Sequence, residues 1–402
     1  MKDAKLRQHW LLDPEVTFLN HGSFGACPRP VLEAQEQWRR RLEAEPVHFM
    51  VDALENELDD ARARLARFVG AQPQDLAFVP NPTSGVNAVL QSLPLQAGDE
   101  LLTTGHAYGA CHNALEYVAQ RSGATVVVAP LPFPGIEPDL VVDAVREHIT
   151  PRTRLALLDH VTSATGVVLP IAALVAELRE RGIETLIDGA HAPGMVELDI
   201  EAIGATYYAG HCHKWLCAPK GAAFLWVQRD RQDRVRPVVI SHGARSRRTD
   251  RSRFLCEFDW VGTADPSPYL CVPTAIDFLG SLLPGGWPAL RAHNRDLALR
   301  ARELLCASLG VEAPAPASMI GSLAAVPLPD GSGPAPTSWR HVEPIKAQLF
   351  QQYHIEIPVS VWPAPPKRLL RLSAQIYNRE DEYHALSAAL RELLAGEQSA
   401  AS

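Results

Sequence analysis

Between residues 76 and 227, short apolar runs alternate with helix-like stretches, and this alternation limits what the chain can fold into more than any other feature. Residues 76–79, 100–103, 125–129, 155–158, 184–187 and 222–227 read as strands. Residues 86–93, 111–121, 139–148 and 171–181 read as helices between them, the last with Ile171, Leu174, Val175 and Leu178 on one stripe. A parallel strand pair needs a crossover connection, so strands and helices alternating over such spans predict a largely parallel sheet covered on both faces. Sheets of this kind bind ligands at the carboxyl ends of their strands. The fold class is therefore α/β.

The 402 residues suffice for one large domain and a smaller one. With 47% hydrophobic and 21% charged residues, the composition excludes disordered, collagenous and coiled-coil chains. Lys and Arg number 38 against 46 Asp and Glu, a net charge of -8, so no global positive field exists to hold nucleic acid. No stretch approaches the roughly 18 apolar residues of a membrane span, and no apolar leader follows Met1, so a cytoplasmic location is expected. Cys27, Cys111, Cys212, Cys217, Cys256, Cys271 and Cys306 are scattered without a C-x-x-C pair, which predicts reduced thiols.

Outside the alternating region, Pro28 and Pro30 open one helix, and Met50, Leu54, Leu58, Ala61, Leu65 and Phe68 mark a second at steps of three or four. In the tail, residues 287–309 read as a long helix and 313–336, rich in Pro, Ala, Gly and Ser, as a loop. A helix near 341–353, strands near 355–359 and 369–373 and a helix over 381–394 make a small α+β unit. The predicted organisation is an arm over 1–30 that contributes to the active site and the small domain, a large α/β domain over 31–275, and a C-terminal α+β domain over 276–402.

Three elements carry chemistry. The apolar run Thr185-Leu186-Ile187 ends in Asp188, which places a carboxylate at the ligand-binding edge of the sheet. Lys214 follows in the turn Gly210-His211-Cys212-His213-Lys214-Trp215, where desolvation and nearby cations would lower its pKa from about 10.4 and free a nucleophilic amine for Schiff-base chemistry. Asn81-Pro82-Thr83-Ser84-Gly85 is a strand-to-helix turn whose backbone N–H groups and hydroxyls can hold an anion. An acid, an amine and an anion cup together suit a cofactor with a basic ring nitrogen, an aldehyde and a phosphate, which is pyridoxal phosphate.

The chain resembles the fold-type I pyridoxal-phosphate enzymes of the class V aminotransferase group, and within it the isopenicillin N epimerase-like members. The resemblance is carried by Asn20-His21-Gly22-Ser23-Phe24-Gly25, Asp159-His160-Val161-Thr162-Ser163, Asp188-Gly189-Ala190-His191-Ala192-Pro193-Gly194, His213-Lys214-Trp215-Leu216, Asp259-Trp260-Val261-Gly262-Thr263 and Arg371-Leu372-Ser373-Ala374-Gln375. It implies that Lys214 bonds the cofactor aldehyde and that Asp188 keeps the ring nitrogen protonated. It implies a phosphate cup of Thr83, Ser84 and the Gly85 amide, with His213 as a further donor and Thr263 reaching in from the neighbouring subunit of a homodimer. His106 matches the ring that stacks on the cofactor, with Tyr108 the second choice. Ser163 matches a hydrogen bond to the phenolic oxygen, and His191 a residue beneath the ring. Asn20, His21, Gly22 and Tyr108 fall among substrate-binding positions, and Arg371 matches the arginine that grips the substrate carboxylate. His211 stands where many relatives have Ser or Thr, so that phosphate contact is altered or replaced.

The resemblance implies an enzyme acting at the α-carbon of an amino acid or an amino-acid-derived substrate. Epimerisation through a carbanion is the first reading, with Lys214 as the base for one face and His21, Tyr108 and His106 as candidates for the other. Alternatives are a C–S lyase acting by β-elimination, an aminotransferase, and a non-catalytic protein that keeps the fold to bind a ligand. No cysteine lies between Cys306 and Arg371, which argues against a persulfide relay. His211, Cys212 and His213 are sequence neighbours that point different ways, which argues against a metal centre. His341, His354 and His384 read as structural. Arg245, Arg247, Arg248, Arg251 and Arg253 form a basic run, either solvated surface or a loop near an anionic substrate.

Overall fold

The computed structural model describes residues 6–401 apart from 332, 334 and 339, and leaves the side chains of 398, 400 and 401 undescribed. Residues 1–5 of the predicted arm, and Ser332 and Pro334 of the predicted 313–336 loop, lie outside the described residues.

A two-residue strand, β1 (Thr17–Phe18), precedes the main sheet. That sheet contains β2 (Leu76–Val79), β3 (Glu100–Thr104), β4 (Thr125–Ala129), β5 (Thr153–Asp159), β6 (Glu184–Asp188), β7 (Tyr207–His211) and β8 (Ala223–Val227). Their order is β2-β8-β7-β6-β5-β3-β4. Only β8 runs against its neighbours, so the other strands deliver their carboxyl ends to one edge. Period-two alternation divides the core. Leu155, Leu157, Leu186, Tyr207 and Ala209 face one side with Val89, Leu115, Val118 and Phe254. Ala156, Leu158, Ile187 and Tyr208 face the other with Leu58, Leu65, Leu174 and Val272.

The sheet is largely parallel, as the alternation predicts, but two strands escape the pattern. β7 reads Tyr-Tyr-Ala-Gly-His, an aromatic and small-residue run without aliphatic alternation. β9 (Leu323–Leu328) lies inside the stretch expected to be a loop. Its Ala and Pro content disguises a buried strand that pairs with β12 (Arg368–Ser373). The single strand expected over 355–359 is two pieces interrupted at Pro358. β10 (Ile355–Glu356) pairs with β1, and β11 (Val359–Val361) pairs with β12. Helices Gly286–Leu309 and Glu380–Ala401 cover this smaller assembly.

The N-terminal segment ties the main sheet to the sheet formed by β11, β12 and β9. The Leu19 carbonyl accepts from the Ser373 amide at 3.1 Å, and the Gly22 amide donates to the Ser373 hydroxyl at 3.0 Å. Three residues on, Gly25 has φ of 70° and lies so close to the turn after β7 that a Cβ there would come within 2.2 Å of the His213 carbonyl oxygen. Both the left-handed backbone and the missing side chain are required. Gly25→Ala should therefore destabilise the chain by about 2–4 kcal/mol, read as a lowered denaturant midpoint at unchanged m. An unchanged midpoint would mean that the arm does not pack on that turn.

Candidate active site

At the carboxyl edge of the main sheet, β2, β3, β5, β6 and β7 surround a cavity of about 280 Å³ lined by Ser23, Thr83, Tyr108, Asp159, Ser163, Asp188, His191, His211, His213 and Lys214. Parallel strands direct their following loops to this edge, which is why residues distant in sequence meet here.

Lys214 is partly buried, and its Nζ stands 3.0 Å from Nε2 of His191. Burial, and then the Arg371 charge, lower its pKa to about 7, against the opposing pull of Asp188, Asp159 and Cys111. Asp188 ends β6 as predicted, accepting from the Ala190 amide at 3.0 Å and from the Cys111 thiol at 3.1 Å. Opposite it in strand register is Asp159, the last residue of β5. Burial and the Asp188 charge push the Asp159 carboxyl well above the usual range, and one of its oxygens has no hydrogen-bond partner. Asp159 and Cys111 are missing from the sequence-predicted site. The strand-end rule that singles out Asp188 finds Asp159 equally well when it is applied to β5.

Thr83 lines the cavity from the N-terminus of helix Pro82–Ser92. Asn81 caps that helix, accepting from the Ser84 amide at 2.8 Å and the Ser84 hydroxyl at 3.1 Å. Ser84 borders a neighbouring apolar cavity together with Thr83, and Gly85 packs against Ala209 and Leu225 of the sheet. His211 and His213 sit with ring centroids 4.0 Å apart in a T-shaped pair. The Nδ1 of His211 is buried without a partner, and that of His213 is bonded to the Phe24 carbonyl at 2.8 Å. Burial lowers the His213 pKa to about 4 and that of His211 further still, where the charges of His213 and Lys214 add to the effect.

Arg371 reaches the site from β12. It donates to the Ser163 carbonyl and, at 3.0 Å, to the Ser23 hydroxyl. No Asp or Glu pairs with it among the described residues, and its Nε has no partner. Burial lowers its pKa to about 10. A desolvated guanidinium without a carboxylate is costly unless an anion joins it.

Several predicted residues lie elsewhere. His106 does not border the cavity: its Nδ1 is 2.9 Å from the Thr165 hydroxyl, and its ring meets Trp362 and Phe133 edge-on at 4.8 and 5.8 Å. Burial holds its pKa at about 4. Tyr108, the second choice, does line the cavity. The ring of His21 lies behind the lysine turn, 2.7 Å from the Tyr377 hydroxyl and 3.0 Å from the Lys214 carbonyl. Burial lowers its pKa to about 3. Asn20 accepts from the Ser23 hydroxyl at 2.5 Å, and Gly22 packs on Leu323 and Ser373. Thr263 is exposed, in the turn whose neighbours Gly262 and Ala264 border the apolar cavity.

Three arginines of the run are committed to nearby acids. Arg248 pairs with Glu55 and Asp250, Arg253 with Glu257, and Arg251, its side chain 8% exposed, with Asp59 and Asp259, which also bind the buried Arg62.

Comparison with known proteins agrees with this geometry. The sequence model described as aminotransferase class-V matches residues 18–331. An isopenicillin N epimerase of Amycolatopsis lactamdurans is 40% identical over 97% of this chain and 98% of its own length. A probable chloroplastic L-cysteine desulfhydrase of Arabidopsis thaliana is 32% identical over 95% of this chain and 84% of its own. Among solved structures, a mutant of C-DES with glycine covalently linked to the PLP cofactor superimposes with a TM-score of 0.79 at 23% identity, covering 96% of this chain and 98% of that one. That likeness concerns the fold.

A neutral amine attacks aldehydes and an ammonium does not, so the pH profile of Lys214 should reveal its environment. Its modification by a small aldehyde, trapped by cyanoborohydride and located by peptide mass mapping, should rise with pH and reach half its maximum near 7. A midpoint near the solvated value of about 10.4 would place the amine in water.

Proposed function

The chain belongs to the aminotransferase class-V family, and from that premise we propose that it is a pyridoxal-phosphate enzyme that inverts the α-carbon of an amino acid or an amino-acid-derived substrate. The observation that carries the reading is Arg371, a buried guanidinium without an acid partner among the described residues, held beside the cavity that contains the Lys214 amine. It calls for a substrate carboxylate next to a nucleophilic nitrogen. The near full-length similarity to an isopenicillin N epimerase favours inversion over other reactions at that carbon.

The residues present fit the cofactor. Asp188 supplies an anion for a protonated ring nitrogen, and Lys214 supplies an amine for the aldehyde. Thr83, the helix N-terminus behind it, and the hydrogen-bonding capacity of His211 and His213 suit the phosphate. Ser84 and the Gly85 amide are assigned to the same cup, Ser163 to the phenolic oxygen and His191 to the floor beneath the ring. When bound, the cofactor provides the carbonyl that receives the substrate amine and the electron sink for the pair left when the Cα proton departs.

The protein's own groups do the rest. Arg371 offers a planar fork to the substrate carboxylate and fixes the direction of the Cα–H bond. Lys214, as a free amine of near-neutral pKa, takes that proton on one face. Of His21, Tyr108 and His106, only Tyr108 borders the cavity, so the phenol is assigned as the acid that returns a proton on the other face. His21 and His106 are assigned to holding the lysine turn and the loop after β3.

A C–S lyase is the second reading, favoured by the similarity to the L-cysteine desulfhydrase. It would use the same base and expel a sulfur group from Cβ. The two readings separate in deuterated water. Exchange of the α-hydrogen without keto acid supports inversion, whereas pyruvate and ammonia from a cysteine derivative support elimination and would displace the first reading. Replacing Arg371 by Lys should raise KM about ten- to hundredfold, the loss of one charge-assisted bond, with a smaller effect on kcat. An unchanged KM would free the carboxylate from that site.

The working form is assigned as a cytoplasmic homodimer. Val238, Val239 and Ile240 are 49%, 54% and 58% exposed, and Val238 and Val239 line an apolar cavity of about 400 Å³ that also borders Thr83 and Ser84. So much apolar surface beside the phosphate cup calls for cover, and a second copy carrying Thr263 would supply it. No helix among the described residues is long and apolar enough to cross a membrane. Ile240→Asp should shift the chain toward monomers in analytical ultracentrifugation and weaken cofactor retention. Dimers that persist with full retention would place the interface elsewhere.

A further inference from the structure

His191 lies between two side chains whose chemistry settles where its proton resides. On one side the indole Nε1 of Trp215 is 3.3 Å from its Nδ1, and on the other its Nε2 is 3.0 Å from the Lys214 Nζ. An indole nitrogen donates and never accepts, so the imidazole nitrogen facing it must be bare. The ring is buried, and burial together with the nearby Arg371 charge keeps it neutral. A neutral imidazole carries one proton, which therefore sits on the nitrogen facing the lysine. That N–H needs a lone pair opposite it. An ammonium has none, and a free amine has one.

We propose that Trp215 is a positioning residue: its indole N–H sets the tautomer of His191, which then presents an N–H donor to Lys214 and holds that side chain as the free amine. The use of this device rests on the assignment of Lys214 as the cofactor lysine, whereas the tautomer itself does not.

The local packing keeps the arrangement in place. Trp215 is buried, clustered with Val161, Met195 and Leu323, with its ring 5.0 Å from that of His21. Gly194 has φ of 90°, and a Cβ there would meet the Trp215 carbonyl carbon and oxygen at 2.7 Å. The turn that follows Asp188 thus packs backbone to backbone on the turn that carries Lys214. Trp215 is also the next residue after the lysine, so one peptide fixes both partners of His191.

The device acts against a real pull. Facing Lys214 are Asp188 and Asp159 from the ends of β6 and β5 and Cys111 from helix Gly109–Ser122, all favouring the ammonium. Arg371 of β12 opposes them. With the indole N–H removed, His191 can move its proton to Nδ1 and turn a bare nitrogen toward Lys214, an acceptor suited to the ammonium.

Two measurements test this. Selective ¹⁵N-histidine labelling, with His191 assigned from the resonance lost in His191→Gln, reads the tautomer in the native protein without any cofactor chemistry. The expected state is neutral with the proton on Nε2. A proton on Nδ1, or an imidazolium at neutral pH, would overturn the proposal. The second is the rate at which the cofactor-free full-length chain captures pyridoxal phosphate, followed by its visible absorption across pH. Trp215→Phe keeps the ring and removes the donor. Its midpoint should move upward by about one pH unit, making capture roughly tenfold slower at pH 6 and equal to native above pH ~10. A midpoint equal to that of the native chain would sink the proposal. Lys214→Ala serves as the separate control. Capture that survives in it, with an unaltered absorption band, would refute the lysine assignment while leaving the tautomer measurement standing.

Discussion

Burial of the Lys214 amine is the constraint on which the rest of this site depends. A lysine that titrates near 7 rather than at 10.5 experiences surroundings that disfavour its charge by on the order of 5 kcal/mol. The folded chain sustains this because the amine can be neutral there and has a donor, His191, opposite its lone pair. Between the folded and unfolded pKa values the unfolded chain binds more protons, so native stability falls as pH drops from about 10.5 toward about 7 and is steady below that window. Stability is exchanged for an amine that reacts at neutral pH.

Holding such an amine in place takes contacts from the whole length of the chain. The N-terminal segment reaches the lysine turn through Gly25 and through the His21 ring on the Lys214 carbonyl. That same ring meets the Tyr377 hydroxyl, and Gly22 meets Ser373, so the arm is anchored in the C-terminal residues as well. Arg371 comes from the same region and contacts Ser23 of the arm and Ser163 of the loop after β5. The guanidinium is thus fixed relative to the amine by hydrogen bonds that cross between the two sheets. A motion of the C-terminal unit would move Arg371 and the arm together.

The parts legible in the sequence are those set by local pattern. The apolar alternation exposes most of the main sheet, and an acid at the end of an apolar run exposes Asp188, because burial on both faces leaves a simple compositional trace. β7 leaves no such trace, since Tyr207 and Tyr208 fill the space that aliphatic residues fill elsewhere. β9 is hidden by Ala and Pro residues whose burial depends on β12, paired from more than forty residues away. Motif matching names His106, but which residue of a loop turns toward a cavity depends on the packing beneath it. Here Phe133 and Trp362, both distant in sequence, draw His106 inward and leave Tyr108 at the opening. Trp215 reads as an ordinary buried aromatic until the position of His191 is known.

The single antiparallel strand of the main sheet explains why the lysine sits where it does. β7 and β8 are neighbours in register, His211 opposite Ala223, and the loop between them closes on the functional edge of the sheet. Had β8 been parallel, the chain would have left that edge through a crossover helix and returned from the far side. Instead both ends of the lysine loop are pinned by adjacent strands, with the Cys212 amide bonded to the Ala222 carbonyl at 3.0 Å and the Ala218 amide to the Cys212 carbonyl at 2.9 Å. Beyond β8 lies β2, whose following turn brings Thr83 to one side of the lysine, while β6 and β5 bring Asp188 and Asp159 to the other. The strand order therefore sets Thr83 on one side of the amine and the carboxylates of Asp188 and Asp159 on the other, with the amine on a loop pinned at both ends.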